Sequence, residues 1–190
     1  VTTLLAVVGA VTPPGRLNAA VQHAVEQALA HPGVRATLLN LADHRISFAD
    51  GRPPEGFADD TARVVSALAD ADAVLIASPV YRGSFTGALK NLLDLTPVDA
   101  LRSKPVGIVA MGATSHHYLG VDWHLRAVLA WFGALVAPTS VYLEPAHFRD
   151  GKLADPGARS GLVQLVTAVL AMAAYPREAL GPPPLASGRG

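Results

Sequence analysis

At 190 residues the chain is long enough for one core, and Lys plus Arg equals Asp plus Glu at 15 each, which leaves no net charge to draw in nucleic acid or an anionic membrane. No apolar run is long enough to span a bilayer, and the absence of cysteine excludes disulfides and thiolate metal sites. A hydrophobic share of 51%, rich in Ala, Val and Leu, suits a compact α/β protein, with a reducing cytoplasm as the expected setting.

The run "TLLAVV" (Thr3–Val8) lacks a basic n-region and reads as a buried first strand rather than a signal peptide. After the loop Gly9–Leu17, "LNAAVQHAVEQALA" predicts a helix that stops at His31-Pro32-Gly33. "VRATLLNL" (Val34–Leu41) predicts the second strand, and Ala42–Gly56, with its Gly and Pro, a loop. "DDTARVVSALADA" predicts a helix opened by acids, and "AVLIAS" (Ala73–Ser78) a third strand covered on both faces. "SFTGALKNLLDL" is the next helix, ending before Pro97, and "VGIVAM" (Val106–Met111) the fourth strand. "HHYLGVDWHLRAVLAWFG" predicts a helix to Gly133, and "ALVAPTSVYL" (Ala134–Leu143) a fifth strand. Glu144–Pro156 reads as a loop, "GARSGLVQLVTAVLAMAAY" as the last helix, and residues 176–190 as a disordered tail behind one domain of residues 1–175.

Five alternations of strand and helix predict a flavodoxin-like α/β fold, a five-stranded parallel sheet of order 2-1-3-4-5 with helices on both faces. Strand order reverses between strands 1 and 3, so ligand is expected at their carboxyl ends. The loops Gly9–Leu17 and Pro79–Ser84 face that crevice, with Gly112–Tyr118 beside them.

In "GAVTPPGRLN", Gly15 precedes a helix start whose N–H groups favour an anion. Arg16 adds a charge-assisted donor, Thr12 a hydroxyl, and Asn18 a helix cap. No GxxxxGK motif or GxGxxG motif is present, so the loop is neither a P-loop nor a dinucleotide fingerprint. In "SPVYRGSFTG", Pro79, Val80, Tyr81 and Arg82 offer backbone, ring and guanidinium to a flat heterocycle, while Ser84 or Thr86 caps the following helix. In "GATSHHYLGVDWH", His116, His117 and His124 lack a carboxylate at ligand spacing, so no metal site is expected. Neither a GxSxG elbow nor a nucleophile with a positioned base is present, so no catalytic side chain is assigned.

"SPVYRGSFTGALKNLLDL" closely resembles the segment PVY-x-x-S-x-x-GALK-x-LLDL of NAD(P)H-dependent FMN reductases. "GATSHHYLGVDWHLRAVLAWFGA" follows the same family without a gap, and the likeness runs from Thr3 to about Ala137. The nearest branch is the reductases that serve two-component alkanesulfonate monooxygenases. This resemblance implies a flavodoxin-like flavoprotein, using FMN and NADPH or NADH, that supplies reduced flavin to a partner monooxygenase. It places the flavin ring along Pro79, Val80, Tyr81 and Arg82, a further ring edge at Gly112, Ala113, Thr114 and Ser115, and the phosphate on the loop after strand 1. Relatives carry G-S-x-R and following serines there, whereas this chain reads Ala10, Thr12 and Gly15, leaving Arg16 and Asn18 to contribute. Trp123 sits where the two-component branch carries an extra aromatic residue associated with a π-bulge and a subunit interface.

The resemblance implies that hydride passes from nicotinamide to flavin without a protein acid or base, which agrees with the lack of a catalytic pair. A quinone or azo reductase with tightly bound FMN shares the fold and the PVY loop, and a non-catalytic oligomeric module would have lost flavin use. The apolar segments "FTGALKNLLDL" and "VDWHLRAVLAWFG" predict a homodimer or homotetramer with two-fold symmetry.

Overall fold

The computed structural model describes residues 1–175; the predicted tail at 176–190 lies outside the described residues. Strands β1 (Thr2–Val8), β2 (Val34–Asn40), β3 (Ala73–Pro79) and β4 (Pro105–Met111) form a parallel sheet in the order β2-β1-β3-β4, continued at the far edge by β5 (Leu135–Val136) and β6 (Val141–Leu143). Helices α1 (Arg16–Leu29), α2 (Thr61–Asp70), α3 (Gly87–Leu95) and α4 (Gly120–Trp131) make the four crossovers, and α5 (Pro156–Ala173) follows the last strand.

The period of two in each strand splits the core into two layers. Leu4, Ala6 and Val8 of β1 pack with Leu17, Val21 and Val25 of α1 and with Leu162, Val166 and Val169 of α5. Leu5 and Val7 point the other way, toward Val64 and Leu68 of α2, Leu89 and Leu92 of α3, and Leu125 and Leu129 of α4. Covering both faces explains why the strands read as continuous apolar runs. Among the described residues no helix is long and apolar enough to cross a membrane.

The predicted fifth strand is broken. Val106 pairs with Val136 and Val109 with Val141, so three steps along β4 correspond to five along the edge. Pro138 falls in the looped-out piece, where its missing N–H costs the sheet no bond. Arg126 of α4 grips that piece, donating to the Pro138 carbonyl at 3.2 Å while its guanidinium forks onto the buried Asp122 carboxylate at 2.9 and 3.0 Å.

The predicted loop at Glu144–Pro156 contains a short hairpin, β7 (Phe148–Arg149) against β8 (Lys152–Leu153). Its turn is Asp150-Gly151, with φ of 49° and 75°, the left-handed pair that a tight hairpin demands. The helix begins at Pro156, where its lack of an N–H is harmless, and Asp155 caps it through Ala158 N at 2.7 Å. In the second predicted loop, short 3-10 turns form at Leu41–Asp43 and Pro54–Gly56. Helix α3 starts later than predicted, at Gly87, and α4 at Gly120 after a separate 3-10 turn over Ser115–His117.

Lys104 is 2% exposed and spans from the start of β4 to the end of α2. Its Nζ donates to the carbonyls of Leu68 at 2.8 Å and Ala69 at 2.7 Å, satisfying terminal helix acceptors.

Candidate functional site

The carboxyl ends of β1 and β3 meet as the strand order requires, and the loops beyond them are tied together. Gly9 N donates to Ala77 O at 2.7 Å, and the Thr86 hydroxyl donates to the Gly9 carbonyl. That same hydroxyl accepts from Leu89 N at 3.0 Å, so Thr86, rather than Ser84, caps α3 while holding the first loop in place. Thr86 N is bound in turn by the buried Ser78 hydroxyl at 3.1 Å.

Between these loops lies a cleft of about 250 Å³. Thr12, Gly15, Arg16, Asn18, Pro79 and Tyr81 line it, together with Asn40 and Met111. Gly15 is the N-cap of α1, no side chain caps that end, and no acid lies in its first turn. Its free N–H groups and the helix dipole therefore favour an anion, and Arg16 is the one charged residue among those lining the cleft. Asn18 is not the cap expected from the sequence. It lies inside the first turn, and its Oδ1 accepts from Asn40 Nδ2 at 3.0 Å.

Val80, Arg82, Ser84 and Gly112–Ser115 do not line this cleft. They continue the same sheet edge, because Pro79 pairs with Met111 and Val80 N donates to Met111 O at 2.8 Å. Tyr81 and Ser84 exchange backbone bonds at 2.8 and 3.1 Å around a turn in which Arg82 has φ 53° and Gly83 φ 76°. Two consecutive left-handed residues explain Gly83, and the turn puts Arg82 at an exposed tip. The N–H groups of Val80, Tyr81, Ser84 and Gly112 are consumed within the protein, Gly112 by Leu143 O at 3.0 Å. Those of Arg82, Ala113, Thr114 and Ser115 make no bond to a described residue, so they are the donors this edge still offers.

Sequence reasoning missed Asn40 and Tyr142. Asn40 is a polar residue at the carboxyl end of a strand next to the reversal of strand order, and that position was the available signal. Tyr142 acts across strands, its hydroxyl on the Thr114 carbonyl, and no local pattern marks it.

The profile of a family described as NADPH-dependent FMN reductase matches residues 2–148. The chain belongs to this family. As an FMN reductase it is an oxidoreductase of the flavodoxin-like fold that works with FMN and NAD(P)H. It is 42% identical over 142 residues to an NAD(P)H-dependent FAD/FMN reductase of Geobacillus thermodenitrificans (strain NG80-2), covering 74% of this chain and 77% of the relative. It is 30% identical over 180 residues to the NADH-dependent FMN reductase SfnF of Pseudomonas putida, covering 91% and 94%. An apo NADH:FMN oxidoreductase (EMOB) shares the fold with a TM-score of 0.75 over 93% of this chain and 92% of its own, at 22% identity.

In this FMN reductase α4 is regular where a π-bulge was expected: Trp123 N donates to Leu119 O at 2.9 Å, the ordinary i to i−4 bond. Trp123 is 73% exposed and Trp131 66%. His116, His117 and His124 are exposed, and among the described residues no three His, Cys, Asp or Glu side chains gather to hold a metal.

Proposed function

We propose that FMN lies along the carboxyl edge of the sheet, its phosphate at the start of α1 and its ring running from Pro79 and Val80 toward Gly112. The observation that carries this reading is the uncapped, acid-free start of α1 opening into a cleft that reaches Pro79 and Met111. When bound, FMN supplies the redox chemistry, accepting a hydride from the nicotinamide. The first-turn N–H groups, Arg16 and the Thr12 hydroxyl neutralise the phosphate. Pro79, Tyr81 and Met111 give the ring an apolar bed, and the N–H groups of Arg82, Ala113, Thr114 and Ser115 are the donors for its polar edge.

The flavin is an exchangeable substrate in this reading, since one charged side chain serves the phosphate and the cleft is open. Reduced FMN then passes to a flavin-dependent monooxygenase, as the resemblance of Ser78–Leu95 to the reductases of two-component systems supports. Residues 1–175 act as one flavodoxin-like domain in the cytoplasm, where NAD(P)H is supplied. Assembly into a homodimer or homotetramer uses the face of α3 and α4, where a groove of about 490 Å³ is lined by Leu93, Val128 and the exposed Trp131.

Equilibrium dialysis with FMN, paired with NADPH and NADH oxidation with and without added FMN, tests the reading. Micromolar binding and a strict need for free FMN are expected. One flavin per chain retained through purification points instead to a prosthetic group and an on-enzyme quinone or azo acceptor. No binding at millimolar FMN overturns flavin use altogether. Sedimentation showing only monomers overturns the assembly.

A further inference from the structure

Asn40 closes β2 at 3% exposure, on the wall of the cleft and beyond the residues that sequence reasoning selected. Its orientation is unambiguous. Ala42 N donates to Asn40 Oδ1 at 3.0 Å, and a backbone N–H can only donate, so the other limb of the Asn40 amide is its nitrogen. That nitrogen lies 3.0 Å from Asn18 on α1 and can only donate, so the atom it meets is Asn18 Oδ1. The remaining limb of Asn18 is therefore its NH2 group, which makes no hydrogen bond to a described residue. Asn18 stands in the first turn of α1, near Gly15 and Arg16, among the residues lining the cleft.

We infer that Asn40 is a positioning residue that locks the Asn18 amide with its NH2 toward the anion seat at the start of α1, making the site selective for phosphorylated over unphosphorylated flavin. An unrestrained Asn18 could present oxygen or nitrogen to the seat, and only the nitrogen attracts a phosphate. Turning the amide round would put two donors face to face in a site from which Asn40 has lost its water, so the lock is stiff. The Asn40–Asn18 pair thereby gives this chain a further side-chain donor where Thr12 and Gly15 carry no charge. This inference rests on the proposed phosphate position and extends it to the source of its selectivity.

The test is the ratio of dissociation constants for riboflavin and FMN, read by flavin fluorescence. Wild type is expected to favour FMN. Asn40→Asp keeps an acceptor for Ala42 N but replaces the donor facing Asn18 with an oxygen, so Asn18 turns and offers its own oxygen to the seat. The preference for FMN is expected to fall by about ten- to hundredfold, the worth of one bond to a charged group. Asn18→Ala is expected to lower it by about tenfold. In the Asn18→Ala background, the further change Asn40→Asp should add little.

A loss of equal size with and without Asn18 would mean direct repulsion by the new carboxylate and would overturn the inference. Asn40→Ser provides a second route should Asn40→Asp unfold. Its hydroxyl still serves Ala42 N but is too short for Asn18, so preference drops in the wild-type background and not in Asn18→Ala. A wild type that favours FMN while both Asn40 variants keep the full preference overturns the positioning role alone. A wild type with no preference for FMN overturns the phosphate seat as well.

Discussion

The hydroxyl of Tyr142 in β6 donates to the carbonyl of Thr114, 2.6 Å away, and so ties the loop after β4 to the neighbouring strand. The contact is close enough that a Cβ on Gly112 would stand 1.9 Å from the same hydroxyl oxygen, which accounts for glycine at that position. Burial, and then the Glu144 carboxylate, raise the Tyr142 phenol above its ordinary 10.0. A raised value means that the donor is fully present below pH 10 and is lost only as pH climbs through the higher folded value. Tyr142→Phe is expected to speed amide exchange over residues 112–118 and to weaken FMN binding about fivefold, the equivalent of one hydrogen bond of about 1 kcal/mol. Exchange identical to wild type would show that the loop does not depend on this bond.

Thr86 serves two loops with one hydroxyl, donating to the Gly9 carbonyl and accepting from Leu89 N. Thr86→Val preserves the shape and removes both bonds. Loss of the cap is expected to cost about 1–2 kcal/mol in urea unfolding. Because the Gly9 loop leads into the proposed anion seat, FMN affinity should fall with it. A variant with wild-type stability would contradict the capping role.

Replacing Lys104 by Met tests the junction between β4 and α2. The methionine fills the same channel, but the carbonyls of Leu68 and Ala69 lose their donor inside the protein. A loss of about 2–4 kcal/mol is expected from chemical denaturation, since unsatisfied buried groups cost about 1–3 kcal/mol each. Flavin selectivity, measured in the same samples, should stay as in wild type, because Lys104 lies on the α2 side of the sheet start.

The segment after β2 carries an acid-sensitive tie. Asp59 accepts from Ser47 N at 2.9 Å, Ser47 Oγ at 2.7 Å and Thr61 N at 2.9 Å. Hydrogen bonds from Thr61 first, and then from Ser47, lower its pKa from 3.8 to about 2. A depressed carboxylate contributes its stability above the unfolded value and loses it as pH falls through the folded one. The difference in Tm between wild type and Asp59→Asn should therefore be constant above about pH 5 and shrink as pH falls toward 2. A difference that persists at pH 2 would assign the effect to shape rather than charge.

The continuous apolar runs at 73–78 and 106–111, the stops at Pro32-Gly33 and Pro97, and the PVY segment made the sheet order and the family readable before any coordinates. They were readable because burial on both faces leaves a composition signal within each segment. The hairpin at 148–153 had its signal in Asp150-Gly151, but its strands are only two residues each, too short to alternate visibly. The split between β5 and β6 was hidden because an edge strand with Pro138 resembles an unbroken apolar run.

The site divides the same way. Thr12, Gly15, Arg16, Pro79 and Tyr81, chosen from the chain by loop position and residue type, line one cleft. Asn18 was expected to cap α1 and does not, and Asn40 and Tyr142 were not chosen at all, because each acts through a partner more than 20 residues away. Sequence by itself determined which segments are buried, where the chain turns and which edge of the sheet carries the loops. Tertiary structure alone decided which N–H groups are spent within the protein and which way each amide faces, because a hydrogen bond is set by what stands opposite in space.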